Sequence, residues 1–302
     1  MGLDLTERTA RPHAARRGLR RRSTTAVVGV LTLLLVTGCS EAEVGQLKRL
    51  GLPEGASSSA PHMEELWIGA WIAAGAVGAL VWGLIIWAMI RYRRRSDDEV
   101  PVQVRYNLPM EALYTLAPFV VVFVFFYHTV VAQDRVLAED ESFDHEILVV
   151  GQQWSWTFNY LGDDGRDEGA TGNDVFDVGT TADPPTLVLP VDKPVKFLFR
   201  SPDVIHSFWI PAYYFKMDVV PGRDNTWITT PTKTGTFAGR CAELCGVSHS
   251  RMLFDVKVVS EAEYEDYLDE LADEGNTGVA DGSSETDVIV GTEPADEEGA
   301  SQ

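Results

Sequence analysis

The stretch Cys241-Ala-Glu-Leu-Cys245-Gly-Val-Ser-His249-Ser-Arg-Met252 puts two thiols, an imidazole and a thioether into one short loop of a chain whose only other cysteine is Cys39. Outside a cell, two such cysteines standing alone would read as a disulfide. Their neighbours argue for a metal. His249 and Met252 follow within the same loop, and His206 stands upstream in Asp203-Val204-Ile205-His206-Ser207. Thiolate, thioether and imidazole together form a copper-binding set, because soft sulfur and imidazole both suit copper and no carboxylate competes. Structural zinc would use two Cys and two His and leave Met252 idle. A mononuclear blue-copper site would leave one thiolate over. Two copper ions bridged by both thiolates, each with one terminal imidazole and a weak outer ligand, consume the whole set.

Such a loop needs a rigid frame. From about 146 to 259 the sequence runs in short segments rich in Val, Phe, Trp and Thr, separated by Gly, Pro and Asp, which predicts strands at 146–150, 155–160, 186–189, 195–200, 207–210, 226–229, 236–240 and 252–259. With no helical block long enough for a crossover between parallel strands, the segments predict an antiparallel sandwich or barrel. The Asp- and Gly-rich stretch 162–185 reads as a long loop. Trp154, Trp156 and Phe158 alternate and are expected on one sheet face. After Ser260 a short acidic helix is expected, and the stretch 275–302, without aromatic or basic residues, is expected to be disordered.

Upstream, the pattern is that of a membrane protein. Arg16, Arg17, Arg20, Arg21 and Arg22 precede an apolar run at 26–36, too short to cross a bilayer and suited to an export signal. The run ends in Val36-Thr37-Gly38-Cys39, which resembles a bacterial lipobox, with cleavage before Cys39 and lipidation of its thiol; the plainer alternative is an ordinary signal peptide with a chance cysteine. Residues 1–38 carry seven Arg against Asp4 and Glu7, so their removal would take the formal charge from -20 to -25. Two uncharged blocks, 66–90 and 112–132, are long enough to span the hydrocarbon core, and Pro118 in the second is tolerable there. The loop between them holds Arg91, Arg93, Arg94, Arg95 and Arg105. The positive-inside rule makes that loop cytoplasmic and places Cys39 and everything past Asp134 outside. The expected organisation is a signal at 1–38, an exported linker at 39–65, a transmembrane hairpin at 66–135, a β domain at 136–260 and an acidic tail at 261–302. So acidic a chain excludes nucleic acid as a partner and favours a cationic one.

Cys-x-Glu-x-Cys-x3-His-x2-Met with an upstream Asp-Val-Ile-His resembles the binuclear copper (CuA) motif of cytochrome c oxidase subunit II. Gly151-Gln152-Gln153-Trp154-Ser155-Trp156 is similar to that family's aromatic-rich segment, with Ser155 where an aromatic residue is common, and Lys216-Met217-Asp218-Val219-Val220-Pro221-Gly222-Arg223 is similar to its Lys-x-Asp-x-x-Pro-Gly-Arg run. The resemblance covers about 66–259. It implies a two-helix transmembrane hairpin followed by an all-β, cupredoxin-like Greek-key sandwich or barrel. It also implies that Cys241 and Cys245 bridge two coppers, that His206 and His249 are terminal ligands, and that Met252 and the Glu243 carbonyl complete the two coordination spheres. The Glu243 carboxylate would share a magnesium or manganese ion with subunit I; the alternative is a solvated loop carboxylate. Trp154 would receive electrons from cytochrome c, although its composition alone fits a core indole. Glu111 would stand at the mouth of a proton-uptake path, where a carboxylate also suits a helix N-terminus. His128 in the second span reads as facing a neighbouring helix or the interface.

The function implied is that of subunit II of a bacterial respiratory oxidase. Its partners would be subunit I, further oxidase subunits and a soluble or membrane-tethered cytochrome c, steered by acids such as Asp163, Asp164, Asp167 and Glu168. It would sit in the cell membrane as a multi-pass protein with its C-terminal domain outside, taking electrons from cytochrome c and passing them to haem in subunit I, where oxygen is reduced and protons are pumped. The alternative is a membrane-anchored copper-delivery protein. A quinol oxidase subunit II would lack the copper ligands present here, and a nitrous oxide reductase would need a further catalytic domain.

Overall fold

The structure is a computed structural model that describes residues 41–96, 98–138, 142–162 and 174–282. The expected export signal, Cys39, the acidic stretch from Asp163 to Glu168 and the residues from 283 onward lie outside the described residues. Before Leu52, a short helix α1 (Glu41–Lys48) is closed by the Gln46 side chain, which donates to the Gly51 carbonyl at 3.0 Å.

Helices α2 (Ala60–Arg91) and α3 (Leu108–Val136) are both long and apolar enough to cross a membrane. Helix α2 starts ahead of its apolar run because Pro61 occupies the first turn, where its fixed φ suits a helix and its missing N–H costs nothing. At the start of α3 the Asn107 side chain accepts from the Met110 N–H at 3.3 Å. The helix then continues through Pro118. Trp82, Ile86, Phe119, Phe123 and Phe126 are among the large apolar side chains left exposed along the pair, an arrangement stable only where the surroundings are apolar too.

The linker expected at 39–65 is not free along its length. Ala56 N–H donates to the Ala212 carbonyl at 2.8 Å, Thr232 N–H returns to the Ala56 carbonyl at 2.9 Å, and Ser58 N–H donates to Thr230 at 2.9 Å. This segment therefore pairs with the β domain immediately before α2 begins.

That domain is a sandwich of two five-stranded sheets, β3-β2-β1-β5-β8 and β4-β10-β9-β6-β7. The strands are β1 (His145–Gln152), β2 (Ser155–Leu161), β3 (Val175–Val178), β4 (Thr186–Pro190), β5 (Val195–Arg200), β6 (His206–Ile210), β7 (Phe215–Val219), β8 (Asn225–Thr229), β9 (Gly235–Cys241) and β10 (Leu253–Val259). All eight expected strands are present. Two more appear: β3 lies inside the expected loop, and β7 lies in the Lys-x-Asp run, where alternating charge hid an edge strand. The expectation of a wholly antiparallel sandwich needs correction, since β1 pairs parallel with β5 and β4 with β10. Those partners are remote in sequence, so the chain crosses between the sheets before each pairing, and no crossover helix is required.

The core between the sheets is aromatic. Phe208 and Phe254 stack at 4.8 Å, with Trp156 edge-on to both. Helix α4 (Glu261–Asp273) starts from a capping box formed by Ser260 and Glu263 and buries Tyr264 and Leu271. The disorder expected from 275 is overturned for 275–282. Phe176 N–H donates to the Asn276 carbonyl at 3.0 Å, and Ala280 exchanges hydrogen bonds with the fully buried Asn159 side chain at 2.7 and 3.1 Å. An amide side chain on the outward side of β2 thus captures a polar backbone that composition alone left without an anchor.

Candidate metal centre

The copper-type ligands converge because the strands deliver them. His206 opens β6, Cys241 ends β9, and Met252 immediately precedes β10. Strands β6 and β9 pair with Phe208 opposite Cys241. Cys241 N–H donates to the Met252 carbonyl at 3.0 Å, which closes the base of the loop carrying Cys245 and His249. A short 3-10 turn, His249–Arg251, then aims His249 back toward the sulfurs. Gly246 holds φ +126, and a Cβ there would lie 2.9 Å from the Trp154 indole nitrogen, so this turn of the loop takes glycine only.

The donor atoms form a continuous chain. His206 Nδ1 lies 3.9 Å from Cys241 Sγ, and the two Sγ atoms are 3.8 Å apart. From Cys245 Sγ it is 3.6 Å to His249 Nδ1 and 3.7 Å to Met252 Sδ, while Cys241 Sγ is 3.2 Å from the Glu243 carbonyl oxygen. The sulfur separation is far beyond an S–S bond of about 2 Å, so the cysteines are free thiols. Donors around one tetrahedral metal with bonds of about 2.2 Å stand roughly 3.6 Å apart, and this set matches that spacing. His206, Cys241, Cys245 and Met252 are buried, and His206, Cys241 and Cys245 form a compact metal-capable group. The donors fit a soft metal.

Electrostatics favour one thiolate in the pair. Burial raises the Cys241 thiol, but hydrogen bonds from His206 and the backbone outweigh it and hold Cys241 down to about 6. Burial and the neighbouring Cys241 charge push Cys245 up to about 12. Burial would also lower the His206 imidazole, yet the Asp203 carboxylate and Cys241 raise it above its usual range. A divalent or monovalent cation would supply the missing charge that lets both sulfurs ionise.

Trp154 does not share the face of Trp156 and Phe158. It precedes β2 in the turn from β1, half-buried, and its Nε1 donates to the Cys245 carbonyl at 3.1 Å, whereas Trp156 and Phe158 are wholly in the core. The alternation fails because the strand begins one residue later, at Ser155. Glu243 is exposed, and its carboxylate accepts the Leu244 N–H at 3.2 Å. Glu111 stands apart from the metal loop in the first turn of α3, where its carboxylate accepts the Asn107 N–H at 2.9 Å. His128 lines a groove between α2 and α3 together with His62, Glu65 and Arg135.

Sequence reading passed over Asp203 and the Gln153 side chain. Asp203 contacts the His206 ring, and Gln153 Nε2 donates to the Cys245 carbonyl at 2.5 Å. The only signal in the sequence was their membership of the two quoted motifs.

Residues 146–259 match the family model described as cytochrome C oxidase subunit II, periplasmic domain. A probable cytochrome c oxidase subunit 2 of Streptomyces avermitilis is 44 % identical, over 87 % of this chain and 91 % of its own. The chain belongs to the cytochrome c oxidase subunit II family. Cytochrome c oxidase subunit 2 of Mycobacterium tuberculosis is 37 % identical over 85 % of this chain and 83 % of its own. The periplasmic domain of subunit II of cytochrome oxidase from Bradyrhizobium japonicum, a crystal structure, is 29 % identical and covers 44 % of this chain and 97 % of that one, with a TM-score of 0.38. As a subunit II chain it is a component of a cytochrome c oxidase, anchored in the membrane by two helices and carrying its C-terminal domain on the extracytoplasmic side. The alternative of a stand-alone copper-delivery protein loses its footing with this membership.

Proposed function

We propose that this chain is the electron-accepting subunit of a cytochrome c oxidase. The single observation that carries the reading is the unbroken run of donor atoms from His206 through Cys241 and Cys245 to His249 and Met252, each neighbouring pair 3.6 to 3.9 Å apart. Two coppers held there supply one-electron redox chemistry. Cys241 and Cys245 would serve as the shared thiolate ligands, His206 and His249 as the terminal imidazoles, and Met252 and the Glu243 carbonyl as the weak outer ligands. Thiolates shared by two metals would spread the change of one electron, and a loop closed at its base by the Cys241–Met252 hydrogen bond resists rearrangement.

Trp154 is the receiving group for cytochrome c. Its indole reaches from the surface to the Cys245 carbonyl, and Leu244 and Val247, both highly exposed and flanking Cys245 in sequence, offer an apolar contact for a haem edge. Electrons then pass to haem in subunit I, where oxygen is reduced and protons are pumped. The exposed Glu243 carboxylate is free to share a magnesium or manganese ion with subunit I, since a hard oxygen donor suits such an ion. Glu111 lies at the cytoplasmic mouth of a proton-uptake path. Cleavage before Cys39 and its lipidation would add a second anchor to the hairpin.

The test is copper content and electron paramagnetic resonance of the purified oxidase complex containing this chain. Two coppers in subunit II, with hyperfine structure from one electron shared equally by both nuclei, is the expected result. One copper with a localised spectrum, or a disulfide and no copper, would overturn the assignment.

A further inference from the structure

His206 has two ring nitrogens and only one can face the metal. Nδ1 points at Cys241 Sγ, and Nε2 lies 2.9 Å from Asp203 Oδ1. An ionised carboxylate only accepts hydrogen bonds, so it selects the tautomer with the proton on Nε2 and leaves a lone pair on Nδ1. Asp203 is itself fixed. Its Oδ1 accepts the Val204 N–H at 2.5 Å and the Ser201 hydroxyl at 3.2 Å, and its Oδ2 accepts the Gln153 N–H at 2.7 Å. Gln153 then reaches the other side of the centre, where its Nε2 donates to the Cys245 carbonyl, the same oxygen that accepts the Trp154 indole N–H.

These bonds close a bracket. It begins at a terminal imidazole, passes through Asp203 to the backbone of Gln153, and returns through the Gln153 side chain to the residue supplying a thiolate. Trp154, next in sequence to Gln153, is carried by the same turn. We propose that Asp203 and Gln153 act as one positioning unit: Asp203 sets which nitrogen of His206 faces the metal, and Gln153 ties the indole that receives electrons to ligand Cys245. The inference rests on the copper reading above, and it assigns to these two side chains a task distinct from ligation. Gly151, whose Cβ would meet the His206 ring carbon at 3.3 Å, lets β1 come close enough for the bracket to close.

The unit makes two separable demands. Loss of the Asp203 carboxylate removes negative charge from beside the oxidised centre, so the reduction potential rises, and the imidazole is no longer held to one tautomer. Loss of the Gln153 amide leaves every ligand in place and frees the turn that carries Trp154.

The experiment uses the purified oxidase complex with Asp203→Asn, Asp203→Glu and Gln153→Ala. Asp203→Asn is expected to keep both coppers but to alter their hyperfine pattern, raise the potential and speed copper loss to a chelator by about 10- to 100-fold, the range seen when a partner of a metal ligand is removed. Asp203→Glu, which restores the charge, is expected to bring the potential back toward that of the unaltered complex. Gln153→Ala is expected to leave spectrum and potential unchanged while slowing reduction by cytochrome c by about tenfold or more, as small misplacements at a reacting centre do. Unchanged spectrum, potential and chelator release in Asp203→Asn would overturn the role of Asp203; unchanged reduction in Gln153→Ala would overturn that of Gln153. An unaltered complex without the shared-electron spectrum would instead overturn the copper reading.

Discussion

The indole nitrogen of Trp154 donates a hydrogen bond to the main-chain carbonyl of Cys245 at 3.1 Å. A surface aromatic is thereby joined by one bond to a residue whose sulfur lies among the metal donors. The contact ties a half-buried indole to the loop that carries the sulfurs. It also explains the constraint on Gly246, on which the same indole rests.

Replacing Trp154 by Phe should retain the ring and delete the bond. Copper content and spectrum should persist, while the rate of reduction by cytochrome c falls by about tenfold or more, the scale set by loss of positioning. Stopped-flow reduction of the oxidase complex measures this directly. Loss of copper would show that the indole serves the ligand loop instead.

Cys241→Ser and Met252→Leu should differ in kind. Cys241 touches His206, Cys245 and the Glu243 carbonyl, so the serine variant should lose the shared-electron spectrum altogether. Met252 is fully buried, and leucine nearly matches its volume, which keeps the core filled. That variant should retain two coppers with a shifted potential, read by redox titration, because only a weak outer ligand is lost. A binuclear spectrum in Cys241→Ser would defeat the ligand assignment.

Glu111 holds two candidate tasks that a pair of variants can separate. Its carboxylate caps α3 through the Asn107 N–H, and glutamine can accept that bond equally well. Glu111→Gln should therefore preserve the helix while slowing turnover without changing reduction of the copper centre. Glu111→Ala should add a loss of about 1 kcal/mol in helix stability. Full turnover in Glu111→Gln, measured as oxygen consumption, would remove the residue from proton uptake.

A pH effect is expected at the join between β1 and α4. Burial lowers the His145 imidazole; Glu265, Asp144 and Glu261 oppose this and Lys193 adds to it. Its ring lies edge-on to Tyr264 of α4 at 4.8 Å. With the folded value below the unfolded one near 6.5, the unfolded chain binds more protons in the interval between them, so stability is complete above about pH 6.5 and declines as the pH falls through that window. Proteolytic release of α4 should quicken between about pH 7 and 5, and His145→Phe should flatten the response. An equal response in that variant would assign the effect to other groups.

Much of the architecture was legible because it rests on local signals. Apolar length marked both membrane helices, alternating β-branched and aromatic residues marked eight strands, and the rarity of cysteine made the Cys241–Met252 loop conspicuous. Strand β7 escaped because an edge strand exposing Lys216 and Asp218 lacks the hydrophobic contrast that flags a buried one. The stretch 275–282 escaped because its order comes from Asn159, a residue far away in sequence.

By itself the sequence determined the inventory of this protein: which donors exist, that soft metal chemistry suits them, and that a membrane hairpin precedes a β domain. Those follow from residue type and spacing, which are properties of the chain alone. Tertiary structure decided how the inventory is used. Only pairing of β6 with β9 and closure of the loop at Met252 bring His206, Cys241 and Cys245 into one buried group. Only the turn at Gln153 sets Trp154 outside the core and against Cys245. The physical reason is that directional hydrogen bonds between segments remote in sequence depend on register and twist of the sheets, which no local pattern encodes.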